Sequence, residues 1–295
     1  MTEIIQQVIN GITLGSTYAL IALGYTMVYG IIQLINFAHG EIFMFGAFAG
    51  LFIVTVLGIT NLYLAILGAM LFSMLLGIVI EFIAYRPLRG SSRLSALISA
   101  IGVSIFLSSL MVLIRGANVT SFPTQELFEL KNIEFMGLSI SNLQIAIILI
   151  SAGLMLGLEL FVKYTKTGRA MRASSQDVDA TALMGVNVNS IISITFAIGS
   201  GLAAAGGVLW GLNFSSIHPY MGLMAGLKAF AAAVLGGIGS IPGAMFGGIF
   251  LGVAETLGIA SGLSKYKDAF AFTILIIVLL FRPTGLFGRK ISKKV

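Results

Sequence analysis

The chain has 295 residues and a formal net charge of +6; 58% of its residues are hydrophobic and only 9% are charged. Soluble domains carry about a quarter charged residues, so this composition excludes an ordinary soluble domain. Apolar runs of about 20 residues recur along the chain, and each is long enough to cross a bilayer as a helix. The composition therefore predicts an all-α fold, that of a polytopic helical membrane protein.

Several classes of function lack the residues that they need. Cysteine is absent and only two histidines are present, which argues against a metal cluster and a disulfide framework. No G-x-x-x-x-G-K-[ST] motif occurs, so we expect neither a bound cofactor nor an enzymatic activity in this chain. The basic residues fall in short loops, which is typical of membrane topology rather than of nucleic-acid binding. MTEIIQQV has no basic residue, so a cleaved signal peptide is not expected.

Nine apolar segments are predicted in chain order. They lie at about 8–31, 35–58, 61–81, 94–114, 140–162, 188–213, 223–241, 242–262 and 268–285. If all nine span the membrane, the N-terminus lies outside. If 35–58 is re-entrant, eight segments span and the N-terminus lies inside. The residues alone leave this choice open.

Three basic regions predict which loops are cytoplasmic. YRPLRGSSR (85–93), KYTKTGRAMR (163–172) and the tail RPTGLFGRKISKKV (282–295) hold twelve of the 17 lysines and arginines. Positive charge concentrates on the cytoplasmic side, so all three regions are predicted to be cytoplasmic, the C-terminus included. The segment 116–139, which carries Glu126, Glu129 and Glu134, is predicted to lie outside.

Glycine occurs 36 times, and much of it follows a small-xxx-small spacing. The pairs at this spacing are Gly46/Gly50, Gly207/Gly211, Gly243/Gly247 and Gly248/Gly252. Small residues let helix backbones approach closely in a membrane, where no hydrophobic effect drives helices together. We interpret most of these glycines as packing residues.

The stretch INFAHGEIFMFGAFAG, residues 35–50, places Asn36, His39 and Glu41 beside an apolar run. Polar and ionisable groups at membrane depth are costly, and they usually face the bundle interior or a pathway. The sequence therefore predicts that Asn36, His39, Gly40 and Glu41 line or gate a translocation pathway. The alternative is that His39 and Glu41 lie at the membrane interface.

A second interruption is predicted in AAAVLGGIGSIPGAMFGG, residues 231–248. Its glycines and Pro242 would break a helix, and broken helices at membrane depth line a cavity or are buried in protein. One interruption in each half is typical of a transporter built from repeats. The predicted gate residues here are Gly236, Gly237, Gly239 and Ser240. A tight turn between two helices is the alternative interpretation.

Ionisable residues in the apolar segments are interpreted from their neighbours. Glu159 lies one helical turn before Lys163, and Glu81 lies just before the first basic region, so surface ion pairs explain both acids. Lys228 and Glu255 lie well inside apolar segments and are predicted to face the bundle interior, where they could pair with each other.

The loop KTGRAMRASSQDVDATALMGVNVNS, residues 166–190, is predicted to hold one amphipathic helix, 167–184. Its charged positions are Arg169, Arg172, Asp177 and Asp179, and Gly185 is a natural stop. Such a helix between two spans is either a membrane-surface segment or a docking element for a partner protein. The mixture of acids and bases favours the docking element.

Four motifs in order resemble a known family, the permease subunits of branched-chain amino-acid ABC importers. They are GSTYALIALGYTMVYGIIQLINFAHGEIFMFGAF (15–48), KTGRAMRASSQDVDATALMGVN (166–187), AFAAAVLGGIGSIPGAMFGGIFLG (229–252) and FRPTGLFG (281–288). The resemblance extends from end to end, and the chain is most similar to the shorter of two paralogous permeases.

This resemblance implies one transmembrane permease domain over 1–295, in a bacterial or archaeal plasma membrane, with a cytoplasmic coupling-helix loop at 166–187. The implied partners are a second homologous permease, two cytoplasmic ATPase subunits that bind ATP and magnesium, and an extracytoplasmic binding protein. The implied substrates are leucine, isoleucine and valine, which would be imported by alternating access.

Other functions stay open at this point. Permeases for urea and short-chain amides resemble the branched-chain type, and no residue of this sequence identifies an isobutyl side chain as the group that is recognised. An ATP-independent secondary transporter or channel would also contain interrupted helices, although the loop 166–190 argues against it. A structural membrane subunit without a pathway is disfavoured by the two interruptions.

Overall fold

The computed structural model describes residues 2–135 and 137–288, and α-helices account for most of this part. The helices are α1 Thr2–Ile32, α2 His39–Thr55, α3 Leu62–Ile80, α4 Arg93–Arg115, α5 Thr124–Leu127, α6 Asn142–Tyr164, α7 Lys166–Gln176, α8 Val178–Leu183, α9 Val188–Phe214, α10 Met221–Gly236, α11 Ile241–Gly258 and α12 Lys267–Phe281. A π-helical turn, Glu81–Tyr85, continues α3, and another, Ile259–Leu263, continues α11. The predicted all-α fold is confirmed.

Four short strands form two antiparallel pairs. They are β1 Thr120–Ser121, β2 Asn132–Phe135, β3 Leu138–Ser141 and β4 Ser216–Ile217. β2 and β3 form a hairpin, whereas β1 pairs with the distant β4. The β1–β4 pair therefore ties the loop after α4 to the segment between α9 and α10.

Six helices in the described ranges are long and apolar enough to cross a bilayer, namely α1, α3, α4, α6, α9 and α11. Each of the nine predicted apolar segments contains one helix, and the other three segments hold the shorter α2, α10 and α12. Side-chain caps begin several helices. Asn61 caps α3, Ser92 caps α4, and Ser141 begins α6 in a capping box with Gln144.

The centre of the bundle is formed by α1 and α9, which are mostly buried, whereas α4 and α6 are mostly exposed at the periphery. Glycines let backbones touch at this centre. A Cβ at Gly15 would lie 2.6 Å from the Cα of Ile249 in α11, and a Cβ at Gly248 would lie 2.5 Å from the Cα of Ala19 in α1. The packing interpretation of these glycines is confirmed.

The bundle has two distinct ends. At the first, which we call the strand end, Gln6 of α1 bonds to Ser139 of β3, and Thr256 of α11 donates to the carbonyl of Gln7. At the opposite end, the α7–α8 end, the Leu286 and Phe287 amides bond to the last turn of α10. Arg89 bonds to Asn189 there, so parts of all three basic regions share one end. Residues 289–295 of the predicted basic tail lie outside the described residues.

The prediction of one helix over 167–184 is wrong. The chain forms α7 and α8, which are separated at Asp177, where the backbone is extended (φ −157°, ψ 111°). The Asp177 side chain accepts a bond from the Ala180 amide at 2.9 Å and so begins a new helix. Aspartate competes with the helix through such local bonds, which explains the break. Gly185, with φ +82°, ends the pair as predicted.

Candidate translocation site and coupling surface

Two helices begin side by side inside the bundle. α2 begins at His39 after the non-helical stretch 33–38, and α10 begins at Met221 after residues 215–220. Gly40 faces Gly222 and Gly226 so closely that a Cβ on Gly40 would lie 2.9 Å from the Cα of Gly226 and collide with the Gly222 carbonyl. We call the group Gly40, Glu41, Gly222 and Gly226 the meeting point.

The meeting point lies about halfway along the bundle. The Ser104 hydroxyl, on the central residue of α4, donates to Oε1 of Glu41 at 3.3 Å. His39, next to Gly40, packs against Gly24 of α1. Gly24 in turn faces Gly199, near the middle of α9. Helix N-termini carry partial positive charge, and here two of them converge beside one carboxylate.

The predicted residues of the first interruption are brought together and buried. Asn36, His39 and Glu41 are each no more than 2% exposed. Among the described residues, Nδ2 of Asn36, Nε2 of His39 and Oε2 of Glu41 have no hydrogen-bond partner. The His39 ring packs edge-on against Tyr25, with ring centroids 4.8 Å apart. Because these side chains are buried about halfway along the bundle, the alternative that His39 and Glu41 lie at the membrane interface is disfavoured. Buried polar atoms without a partner are rare, so these three are candidates for binding another group.

The predicted second interruption is a turn between two helices rather than a break within one. Gly237 and Gly239 adopt positive φ values of 99° and 91°, and Ser240 caps α11 by accepting a bond from the Gly243 amide at 3.2 Å. Gly236 packs directly against Gly243. The turn lies at the α7–α8 end, away from the meeting point, because Gly239 faces Gly30 near the end of α1. A gate function for these residues stays a prediction.

The true second interruption lies at 215–220, which the sequence reasoning missed. Ser215 adopts a left-handed backbone (φ 50°), and β4 then leads the chain to Met221. The available signal was the polar stretch SSIHPY, with Pro219 just before the segment predicted at 223–241.

The α7–α8 segment presents charged and apolar side chains outward. Leu183 and Met184 are 89% and 84% exposed, in a segment outside the candidate membrane spans. The guanidinium of Arg172 donates to the carbonyl of Val162, so α7 is fastened to the end of α6. The other predicted residues, Arg169, Asp177, Asp179 and Gly185, are also exposed. Such a surface suits a protein partner.

The predicted pairing of Lys228 with Glu255 is confirmed, with Nζ and Oε1 2.6 Å apart. The cluster is larger than predicted. Asp268, at the start of α12, lies 2.7 Å from the same ammonium group, and the Tyr18 hydroxyl donates to Oε2 of Glu255 at 3.1 Å. The cluster therefore joins α1, α10, α11 and α12, and each of its charges has a partner.

The predicted ion pair of Glu81 with the first basic region forms, but its predicted surface position is wrong, because Glu81 is 0% exposed. Its carboxylate pairs with Arg89 and, at 3.7 Å, with Arg86, and it accepts a bond from Ser193 of α9 at 2.7 Å. Burial lowers the pKa of the Arg89 guanidinium from its ordinary value, and the negative charge of Glu81 partly offsets this by raising it.

The predicted pair of Glu159 with Lys163 does not form in the described part of the chain. Lys163 instead lies over the ring of its neighbour Tyr164, at 5.4 Å from the ring centroid. Lys163 is exposed and Glu159 is half-buried, so neither charge is enclosed in the bundle.

The fold and site together define a class, a polytopic helical membrane protein in which two interrupted segments meet within the bundle. Comparison with known proteins gives the family. The family model for the permease component of the branched-chain amino acid transport system matches residues 7–279. The chain belongs to this family.

Curated relatives cover nearly the whole chain. The permease protein BraD of the high-affinity branched-chain amino acid transport system of Pseudomonas aeruginosa PAO1 is 49% identical over 99% of this chain and 98% of its own length. The corresponding LivH of Escherichia coli K12 is 48% identical over 99% and 97%. A solved structure, PsaBC from Streptococcus pneumoniae in complex with Fab, matches 93% of this chain with a TM-score of 0.51 and 14% identity, which shows a shared fold.

Proposed function

We propose that this chain is the membrane-spanning permease subunit of an ATP-driven importer that moves leucine, isoleucine and valine into the cytoplasm. The observation that carries the proposal is the identity of 48–49%, over nearly the full length, to two high-affinity branched-chain amino acid permeases. The chain acts as one permease domain and is not an enzyme. ATP and magnesium bind to separate ATPase subunits.

The proposed topology has nine crossings, with the strand end outside and the α7–α8 end in the cytoplasm. The concentration of basic residues at the α7–α8 end supports this orientation. In this topology the stretch 33–38 and the 17-residue α2 make one crossing together, because α2 alone is short for a bilayer. The C-terminus is then cytoplasmic, in a bacterial or archaeal plasma membrane.

The meeting point is proposed to border the translocation pathway. Discontinuous helices near the membrane centre are the usual substrate region of transporters built from repeats. Buried polar atoms of Asn36, His39 and Glu41 have no partner within the described chain. The turn from Gly236 to Ser240 then acts as a gate at the cytoplasmic end of the pathway, next to α7.

The α7–α8 segment is proposed to dock on an ATPase subunit. Its exposed Leu183 and Met184 supply apolar contacts, and Arg169 and Arg172 with Asp177 supply charge. Replacing Arg169 and Arg172 by Glu is expected to abolish ATP-driven uptake while the chain stays folded. Uptake at the native rate in that variant would contradict the docking role.

The remaining partners are a second homologous permease and an extracytoplasmic binding protein, which delivers substrate to the strand end. Alternating access then exposes the space between the two permeases first to one side and then to the other. The exposed apolar faces of α4 and α6 suit either lipid or the second permease.

Uptake of labelled leucine tests the proposal in cells from which the gene has been deleted and then restored. Deletion is expected to abolish high-affinity uptake, and excess unlabelled valine, but not urea, is expected to compete in restored cells. Competition by urea alone would replace the substrate with urea or a short amide. Uptake that persists without any co-purifying ATPase would favour a secondary transporter or channel.

A further inference from the structure

A series of buried polar groups connects the α7–α8 segment to the start of α2, and the proposed function uses only the last of them, Asn36. The series begins at the first turns of α9, passes through Glu81 and Tyr85, and ends at Asn36. Glu81, Tyr85 and Asn36 are each no more than 2% exposed. A buried polar network of this kind destabilises the fold unless its polar groups have hydrogen-bond partners.

The first contact joins α9 to Glu81. Only residues 184–187 separate α8 from α9, so a displacement of α7–α8 acts directly on the first turns of α9. Ser193, in these turns, donates to Oε2 of Glu81 at 2.7 Å. Arg89 bonds both to the Asn189 side chain and to Oε1 of Glu81. Both carboxylate oxygens are therefore held, and Glu81 is fixed to the start of α9.

The second contact joins Glu81 to Asn36 through a π-helical turn. Glu81 begins this turn and Tyr85 ends it, and such turns within helices are frequent at functional sites. The Tyr85 ring packs against Phe196 of α9 at 5.2 Å between centroids. Its hydroxyl donates to Oδ1 of Asn36 at 2.8 Å.

The last contact sets where α2 begins. The Asn36 carbonyl accepts a bond from the amide of His39, the first residue of α2, at 3.0 Å. Glu41 follows two residues later, so the position of Asn36 determines the position of the carboxylate at the meeting point. Within the described residues, Tyr85 is the one hydrogen-bond partner of the Asn36 side chain.

We infer that the Tyr85–Asn36 hydrogen bond is the link through which movement of the α7–α8 segment repositions the start of α2. Glu81 and Arg89 are positioning residues for this link, and neither they nor Tyr85 need to touch substrate. The inference rests on the proposed function, because it assigns to these residues the coupling of ATP hydrolysis to translocation. A physical link of this kind requires a measured coupling between its members.

Tyr85→Phe removes only the hydroxyl and tests the link directly. The complete complex, with both permeases, the ATPase subunits and the binding protein, is reconstituted in vesicles, and leucine moved per ATP hydrolysed is measured. We expect this ratio to fall at least fivefold while assembly and ATP hydrolysis are retained. Tyr63→Phe is the matched control, because Tyr63 is 71% exposed at the other end of α3. An unchanged ratio in Tyr85→Phe would overturn the inference.

A double-mutant cycle separates the link from general damage. Asn36→Leu removes the acceptor of the same hydrogen bond and also the Nδ2 group at the pathway, so it is expected to lower the ratio at least as much as Tyr85→Phe. Combining the two changes is expected to add little, since both remove one interaction. Effects that multiply in the double variant would contradict a shared link.

A third measurement needs no substrate. The chain has no native cysteine, so Ile35→Cys places a single thiol in the stretch between α1 and α2. We expect maleimide labelling of this chain to change at least threefold on ATP binding, and less than twofold when Tyr85→Phe is added. A response that persists with Tyr85→Phe overturns the inference. A normal response in a complex that does not move leucine overturns the proposed substrate instead.

Discussion

The two segments that begin helices at the meeting point differ in how their charged groups are satisfied. In 33–55, Oε2 of Glu41 is buried and has no partner in the described ranges. In 215–236, the Lys228 ammonium is held by both Glu255 and Asp268. Removing one partner of a buried ion pair strongly destabilises the fold, because the other charge is left buried alone. A buried polar atom without a partner already lowers stability in the native protein, so its presence calls for an explanation. We therefore expect changes in the second segment to lower stability and changes in the first segment to lower transport.

The largest expected effect is on the paired side of this comparison. Lys228→Met leaves Glu255 buried without its cation, so the free energy of unfolding is expected to fall by about 3–5 kcal/mol. Thermal unfolding of the purified protein in detergent measures this loss. Adding Glu255→Gln to Lys228→Met should recover part of it, because the uncompensated charge is then removed.

Lys131→Met is the control for that loss. Lys131 pairs with Glu129 at 3.1 Å, but both side chains are at least 66% exposed. Exposed pairs contribute about 1 kcal/mol or less. Equal losses for Lys228→Met and Lys131→Met would show that burial adds nothing at Lys228.

The next effect falls on the backbone contact that both segments share. Gly40→Ala places a Cβ against the backbone of Gly222 and Gly226, which cannot move aside as a side chain can. We expect a loss of about 1–3 kcal/mol in stability and a loss of uptake larger than this destabilisation explains. Gly153→Ala in α6 is the control, because no atom lies within 4 Å of its Cβ. Normal uptake by Gly40→Ala would show that the meeting point does not border the translocation pathway.

The unpaired side of the comparison is tested by Glu41→Gln. The amide keeps an oxygen that accepts the Ser104 hydroxyl bond, and it removes only the charge. We expect uptake to fall about tenfold or more, while the unfolding temperature stays the same or rises. Glu129→Gln, on an exposed side chain, should change neither quantity. A lowered unfolding temperature with normal uptake would instead make Glu41 a structural residue.

The sequence predicted the helices of the bundle well, because long apolar runs and cap residues are local signals. It also predicted the Lys228–Glu255 pair, since two charges in neighbouring apolar segments need partners. It did not predict that Asp268 joins this pair, because contacts across α12 depend on the packing of the bundle. Gly237 and Gly239 are needed for a turn with positive φ, and such a turn has the same composition as a broken helix.

The candidate site was predicted in part. Asn36, His39 and Glu41 were found from their polarity alone, but their partner segment at 215–220 was missed. That segment has no Asp, Glu, Lys or Arg, and it leads into α10, where Gly222 and Gly226 face Gly40, a contact 182 or more residues apart in sequence. Glu81 was misread for a similar reason, since its partner Ser193 belongs to a different helix. Contacts between residues that are distant in sequence cannot be predicted from local sequence patterns.

The smallest expected effect is at the break between α7 and α8, far from either side of the comparison. Asp177→Ala removes the cap of α8, which is expected to cost about 1 kcal/mol. Hydrogen exchange of the amides of residues 180–183 should then speed up about fivefold, since 1.4 kcal/mol corresponds to a factor of ten. Asp177→Ser keeps a capping oxygen and should exchange as the native chain does.

Because α8 contacts the bundle little and presents Leu183 outward, the unfolding temperature of Asp177→Ala is expected to stay unchanged while ATP-driven uptake falls. That result would separate docking by α8 from the stability of the bundle, whereas a parallel fall of both quantities would make α8 part of the folded core.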